Sequence, residues 1–240
     1  MDILVTNDDG LSEGLRMLLE AARKSGDAYA LVPSRQRSAV SGALTLHKPL
    51  RLHNVEEDIF TLNGTPTDCV LFALHSGEFK KPSLVLSGMN WGDNASIGSV
   101  LGSGTVGACW EAAVEGVPAI AFSLERTKED WHQKESWGER EAIVKKLEEM
   151  IAMLKPLIAP GKFFSVNLPR NLSKAGIVHV QKMQTERFNT QIEKRLDPDG
   201  KPYYWITGIE KPIEEGTDAH EVLKKGNIAI VEISLSIFER

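Results

Sequence analysis

The chain is short of several features that would settle its class at once. Only two of its 240 residues are cysteine. Cys69 and Cys109 lack CxxC spacing and have no histidine close by in sequence, which excludes a disulfide scaffold and a zinc ribbon. They read as reduced core thiols of a cytoplasmic protein. No stretch approaches the roughly 20 apolar residues of a membrane span, and no basic segment runs into an apolar one at the start, so no membrane partner is expected. Positive charge is not in excess either. Lys and Arg number 28 against 33 Asp and Glu, a net charge of −5, which argues against a nucleic acid polymer held by bulk electrostatics. Gly-Lys-Ser/Thr after four intervening residues is absent, as is GxGxxG spacing, so neither a Walker loop nor a dinucleotide fingerprint is present. There is no internal repeat and no low-complexity linker.

What is present is an ordinary globular balance, with 42% apolar and 25% charged residues, and enough chain for one α/β domain with an appendage. Apolar runs recur at Ile3–Val5, Ala28–Val32, Ile59–Leu62, Leu84–Leu86, Ala119–Phe122 and Phe163–Val166, with helical or loop segments between them. Such alternation predicts a mostly parallel sheet flanked by helices. The clearest helix spans about Gly138 to Leu154, where Ile143, Leu147, Met150, Ile151 and Leu154 form one apolar stripe. From Gln181 the character changes. A charged segment leads to Asp197-Pro198-Asp199-Gly200 and then to Tyr203-Tyr204-Trp205-Ile206, which predicts a β-hairpin projecting from the sheet. The expected division is a catalytic core over residues 1–180 and a hairpin and oligomerisation extension over 181–240.

The most informative residues are Asp8 and Asp9 in Thr6-Asn7-Asp8-Asp9-Gly10, directly after the first apolar run. Leu15, Leu18, Leu19 and Ala22 follow at helical spacing, so the segment reads strand, acidic turn, helix. That puts both carboxylates at the carboxyl end of the first strand, where open α/β sheets hold ligands. Adjacent like charges there are costly unless a cation lies between them. Oxygen ligands favour a hard ion, Mg²⁺ or Mn²⁺. The competing interpretation of Asn7–Gly10 is a plain polar turn.

Three more segments follow strands. Pro33–Gly42 carries Ser38 and two arginines, suited to a loop that meets an anion or metal. Ser87-Gly88-Met89-Asn90-Trp91-Gly92-Asp93-Asn94 offers neutral oxygens, among them Asn90, to complete the coordination of a hard ion. Ser103-Gly104-Thr105-Val106 precedes a helix with a small inner face, so backbone N–H groups and two hydroxyls can cradle a phosphate. Six histidines, at 47, 53, 75, 132, 179 and 220, include no i, i+4 pair. They read as structural or surface residues, with His47 alone following the Ser38 loop closely enough to lie near a substrate.

In order along nearly the whole chain, Asn7-Asp8-Asp9-Gly10, Ser38 within Arg37-Ser38-Ala39, Gly64-Thr65-Pro66-Thr67-Asp68-Cys69-Val70, Ser87-Gly88-Met89-Asn90 and Ser103-Gly104-Thr105-Val106 resemble the signature blocks of the SurE family of metal-dependent 5'-nucleotidases. Gly216-Thr217-Asp218 is similar to its C-terminal pattern. The resemblance implies a Rossmann-like core, exchanged C-terminal elements, and a homodimer or homotetramer. It implies hydrolysis of nucleoside 5'-monophosphates, with short polyphosphate as a further substrate. One divalent cation per subunit would be held by Asp8, Asp9, Ser38 and Asn90. Asn94, Ser103, Gly104 and Thr105 would contact the anion, and Asp8 or Asp9 would serve as catalytic base or nucleophile. The chain departs from the family between Asn94 and Ser103, where Gly102 stands in a place that members often fill with an aromatic. Two alternatives are weighed against this reading. A haloacid-dehalogenase-like phosphatase needs Asp-x-Asp, which adjacent aspartates do not supply. A non-catalytic nucleotide sensor would keep the fold without the ligand set.

Overall fold

A computed structural model describes residues 1–126, 137 and 139–238. In chain order the elements are β1 (Asp2–Thr6), α1 (Glu13–Ala22), β2 (Asp27–Pro33), β3 (Leu52–Glu56), β4 (Ile59–Leu62), α2 (Pro66–His75), β5 (Leu84–Trp91), α3 (Ile97–Gly102), α4 (Gly104–Val114) and β6 (Ala119–Leu124). They continue with α5 (Arg140–Leu154), β7 (Lys162–Leu168), β8 (Ile177–His179), β9 (Phe188–Leu196), β10 (Pro202–Glu210), α6 (Asp218–Leu223) and β11 (Ile228–Ser234). All six apolar runs singled out in the sequence are strands. The predicted long helix is α5, starting at Arg140; its expected first residue, Gly138, lies outside the described residues.

One nine-stranded sheet runs in the order β3-β4-β2-β1-β5-β6-β7-β11-β8. From β4 through β7 every neighbouring pair is parallel, while β3 and β11 run antiparallel to β4 and β7. The chain winds outward from β1 in both directions, through β2 on one side and β5 on the other. The crevice beyond the carboxyl ends of β1 and β5 is therefore the switch point, the place where doubly wound sheets leave room for a ligand. Strand alternation splits the core in two. Ile3, Val5, Leu84 and Leu86 face α1 and α5, and Leu4 and Val85 face α2 and α4 with the two buried free cysteines. Small residues on α4, namely Ala108, Cys109, Ala112 and Ala113, let it lie close on the sheet.

The hairpin of β9 and β10 is a separate two-stranded sheet. Its turn is fastened by Asp197, whose carboxylate accepts from Asp199 N at 2.9 Å and Lys201 N at 2.8 Å. The charged segment expected to begin this strand at Lys182 becomes extended strand only at Phe188. Residues before it run along α3 instead, because Ile97 N and Gly98 N donate to the carbonyls of Gln184 and Thr185. After the hairpin the chain returns to the main sheet as β11, which inserts between β7 and β8.

The Gly64–Val70 block acts as a brace rather than as a ligand. Thr65 and Asp68 form a reciprocal capping box at the start of α2, with Pro66 in the first turn. The same two side chains reach the Ser38 loop: Thr65 Oγ1 donates to Ala43 O at 2.6 Å, and Asp68 Oδ1 accepts from Thr45 N at 3.0 Å. Replacing Asp68 by Ala removes half the cap and one loop tether. A loss of about 2 kcal/mol is expected in urea unfolding, and an unchanged midpoint would contradict this bracing role.

Candidate functional site

The acidic turn is shaped by Asn7. Its Nδ2 donates to Gly10 O at 2.9 Å and to Ser12 Oγ at 3.1 Å, while its Oδ1 accepts from Gly10 N at 2.9 Å. Ser12 in turn caps α1. With the turn tied internally, Asp8 and Asp9 are free to face the crevice. Asp8 is only 4% exposed. Its Oδ1 accepts a 2.5 Å hydrogen bond from Thr105 Oγ1, and the Asp9 side chain accepts from Gln36 Nε2 at 3.0 Å.

Thr105 is positioned by the start of α4. Ser103 is the N-cap and its Oγ accepts from Val106 N. Gly104 and Thr105, at the first two helical positions, have N–H groups without intrahelical acceptors, at the positive end of the helix dipole. Gly104 is required by proximity. A Cβ there would lie 2.9 Å from Asp8 Cβ and 3.1 Å from Asp8 Oδ2, so only glycine lets the helix terminus approach the carboxylate this closely.

Asn90 stands opposite. Its Nδ2 donates to Gly92 O at 2.6 Å, which turns Oδ1 toward Thr105 Oγ1, 3.5 Å away. The acceptor face of the amide thus looks into the crevice. Ser38 is exposed and belongs to a loop held against the site: Arg37 N donates to Asp8 O at 2.6 Å, and Ser41 bonds Gly102 O and Leu101 O at the end of α3. Ala39 and Ser41 both adopt left-handed backbone, a conformation that non-glycine residues keep only where surrounding contacts impose it.

Asp8, Asp9, Asn90, Ser103, Gly104 and Thr105 therefore converge on one crevice, with the Ser38 loop beside it. Asn94 is set apart by its bonding. Its backbone N–H donates to Asn167 Oδ1 at 2.7 Å and its Nδ2 to Ser123 Oγ at 2.8 Å, so it ties the loop after β5 to the ends of β6 and β7. The Arg37 side chain, expected near an anion, donates to Gly64 O at 3.3 Å. Among the histidines, His75 pairs with Glu115 at the surface, His179 packs edge-on to Phe164, and His47 is exposed. His132 lies outside the described residues.

The electrostatics follow from burial. Desolvation, reinforced by the neighbouring Asp9 charge, pushes the Asp8 carboxyl up to about 6 although Thr105 opposes it. Asp9 is also raised, first by burial, against the hydrogen bond from Gln36, the Trp91 backbone N–H and the Arg126 charge. A divalent cation fits this crevice. Asp9 Oδ2 is buried without a hydrogen-bond partner among the described residues. The donor set consists of two carboxylates and neutral oxygens, the choice of a hard ion. Among the described residues no cluster of three or more His, Cys, Asp or Glu side chains competes for it.

Sequence reasoning missed the far wall. Asp93 is ion-paired with Arg187 at the base of the hairpin. Together with Trp91, Arg126, Phe188 and Ile209 they line a cavity of about 910 Å³ adjoining the crevice. Trp91 itself is wedged between Trp137 and the Arg170 guanidinium. Arg187 and Asp93 are 94 residues apart, and no local pattern could have joined them.

The fold and the crevice define an α/β protein whose paired carboxylates meet a helix N-terminus at the switch point of a doubly wound sheet. The profile of the family described as Survival protein SurE matches residues 3–192. A protein of Thermofilum pendens named 5'-nucleotidase SurE is 42% identical over 98% of this chain and 91% of its own length. A Methanosphaera stadtmanae protein of the same name is 39% identical over 99% and 96%. The crystal structure of the SurE protein from Aquifex aeolicus superposes with a TM-score of 0.81 at 30% identity, covering all of both chains. The chain belongs to the SurE family.

If the Asp8–Asp9 pair awaits a cation, Asp8→Asn has two opposite effects. Because the carboxyl is raised from 3.8 to about 6, ionisation of Asp8 erodes stability as pH climbs between those values, and the whole penalty is present above about 6. In metal-free protein at pH 7 the variant should gain up to about 3 kcal/mol and melt higher than wild type, while losing the upward shift in Tm that Mn²⁺ gives wild type. Scanning calorimetry with EDTA and with Mn²⁺ measures both. A variant less stable than wild type in EDTA, or one still stabilised by Mn²⁺, would contradict the assignment.

Proposed function

We propose that this chain is a metal-dependent 5'-nucleotidase that hydrolyses nucleoside 5'-monophosphates to nucleoside and phosphate, with short polyphosphate as a further substrate. The observation that carries the reading is the meeting of the buried Asp8 carboxylate, with half-buried Asp9 beside it, and the N-terminus of α4, where Thr105 Oγ1 lies 2.5 Å from Asp8 Oδ1. The relatives' shared name, 5'-nucleotidase SurE, supports the same activity.

In this reading Asp8, Asp9, Ser38 and Asn90 hold one Mg²⁺ or Mn²⁺ per subunit. When bound, such a cation supplies Lewis-acid charge that polarises phosphate oxygens. The N–H groups of Gly104 and Thr105 donate to the phosphate oxygens at the positive end of α4 and stabilise charge developing on the transferring phosphoryl group. The Ser103 hydroxyl lines the same cradle. Asn94 secures the loop that follows β5, the strand carrying Asn90, and in this reading also contacts the anion. Asp8 or Asp9, at the crevice beside the phosphate cradle, accepts the proton of the attacking water. Thr105 binds and orients Asp8, so that its free oxygen points to the reacting group.

The hairpin gives the reading its assembly. Tyr204, Trp205 and Ile206 are 59%, 54% and 80% exposed, an apolar surface suited to a second copy of the chain, so residues 181–240 serve as an oligomerisation extension to the catalytic core of residues 1–180 in a homodimer or homotetramer. Buried free thiols at Cys69 and Cys109 suit the cytoplasm, and among the described residues no helix is long and apolar enough to cross a membrane.

Phosphate release from a panel of nucleoside 5'-monophosphates, with Mn²⁺ and with EDTA, tests the function. Release that requires the metal is expected; no release from any substrate with Mn²⁺ would favour a nucleotide sensor instead. In the same assay Thr105→Val should lose roughly 100-fold in kcat/KM, the scale of one positioned hydrogen bond in a site of this type. Thr105→Ser should retain most of the activity. Equal losses in both variants would contradict the role given to the Thr105 hydroxyl.

A further inference from the structure

The cavity beside the acidic crevice has an aromatic wall that phosphate chemistry alone does not need. Phe188 is the first residue of β9, and the chain just before it is fixed on three sides. Arg187 is ion-paired with Asp93, whose side chain is 7% exposed. The carbonyls of Gln184 and Thr185 accept from the first turn of α3. Gln184 is buried, with its backbone N–H on Asp218 Oδ1 at 2.7 Å and its side chain bonded to Glu186 O, Pro212 O and Glu214 N. Both legs of the hairpin are thereby clamped to the helix pair that ends in the phosphate cradle.

The space Phe188 occupies exists because residue 208 is glycine. A Cβ there would lie 2.9 Å from Phe188 Cβ, diagonally across the hairpin, where Phe188 pairs with Glu210 and Gly208 with Thr190. One face of the ring has the Arg187 guanidinium over it, 5.5 Å from the centroid. Phe188 nevertheless stays 39% exposed and lines the cavity of about 910 Å³. That cavity reaches Trp91, the residue after Asn90 at the end of β5. Its volume is in the range that encloses a whole small-molecule ligand, well beyond what one phosphate fills. A clamped, partly exposed aromatic ring, backed by a guanidinium and separated from the phosphate cradle by such a cavity, matches a flat aromatic group attached to a phosphate.

We propose that Phe188 is a specificity-determining residue, whose ring stacks on the base of a nucleoside 5'-monophosphate while the phosphate lies in the crevice. The proposal rests on the nucleotidase reading and names the part of the site that selects nucleotides over other phosphomonoesters. Stacking of a base on an aromatic side chain is worth roughly 5-fold to 100-fold in affinity, and a partly exposed phenylalanine belongs at the low end.

Steady-state kinetics with AMP and with glycerol 2-phosphate, for wild type, Phe188→Ala and Phe188→Tyr, test it. The alanine variant should raise KM for AMP roughly 5- to 10-fold, with kcat within twofold and glycerol 2-phosphate unaffected. The tyrosine variant should behave like wild type. An equal change for both substrates, or no change in KM for AMP, overturns the proposal, as does altered subunit assembly with KM for AMP intact. Calorimetric titration with adenosine, which needs no turnover, separates the two ideas. Weaker adenosine binding by Phe188→Ala supports the stacking role even if no phosphoester is hydrolysed, a result that would remove the nucleotidase reading. Equal adenosine binding by both proteins refutes the stacking role whatever the hydrolysis shows.

Discussion

The structure turns on the approach of the α4 N-terminus to the end of β1, sealed by the Thr105–Asp8 hydrogen bond. Two adjacent carboxylates in a buried crevice are unfavourable by themselves, and burial raises both. What makes the arrangement tenable is that donors are aimed at them: the Thr105 hydroxyl at Asp8, and Gln36, the Trp91 backbone and the Arg126 charge at Asp9. The approach requires Gly104, the small face of α4 and the sharp Asn7 turn together. A side chain at any of the close contacts would separate the phosphate cradle from the carboxylates.

Around that contact the rest of the chain acts as a set of tethers. The α2 capping box holds the Ser38 loop through Ala43 and Thr45. Asn94 ties the loop after β5 to Ser123 and Asn167. Gln184 and Asp218 hold the two legs of the hairpin, and Arg187 joins them to Asp93. Each tether fixes backbone at the carboxyl edge of the sheet while leaving side-chain oxygens facing the crevice. Signature blocks of one sequence thus divide between groups that face the site and groups that hold those groups still, with Asp68 in the second class.

Much of this was legible in the sequence because it is local. Short apolar runs between helical segments marked every strand from β1 to β7 except β3, and a turn built from Asn, Asp and Gly directly after β1 marked the acidic site. Strand ends marked the edge for Asp8 and Asn90, whereas Ser103–Thr105, expected to follow a strand, follows the short helix α3 and reaches the same edge as the N-terminus of α4. The remainder was not local. β11 pairs with β7 across some 65 residues of chain and inserts inside the sheet, and β8 is three residues long. The partners of Asp9 and the cavity wall at Arg187 and Phe188 come from segments separated from the site by the fold alone. The Arg37 side chain could not be assigned from a loop sequence, because turning to Gly64 or to an anion satisfies a guanidinium equally well.

The central claim is that the Asp8–Asp9 crevice holds a divalent cation. Crystals of the protein grown with Mn²⁺ and measured by anomalous diffraction test it most directly. The account predicts one manganese peak per subunit, within coordination distance of Asp8 and Asp9 and completed by Asn90 and Ser38. A crevice without a peak at saturating Mn²⁺, or a peak bound to other side chains, would contradict it.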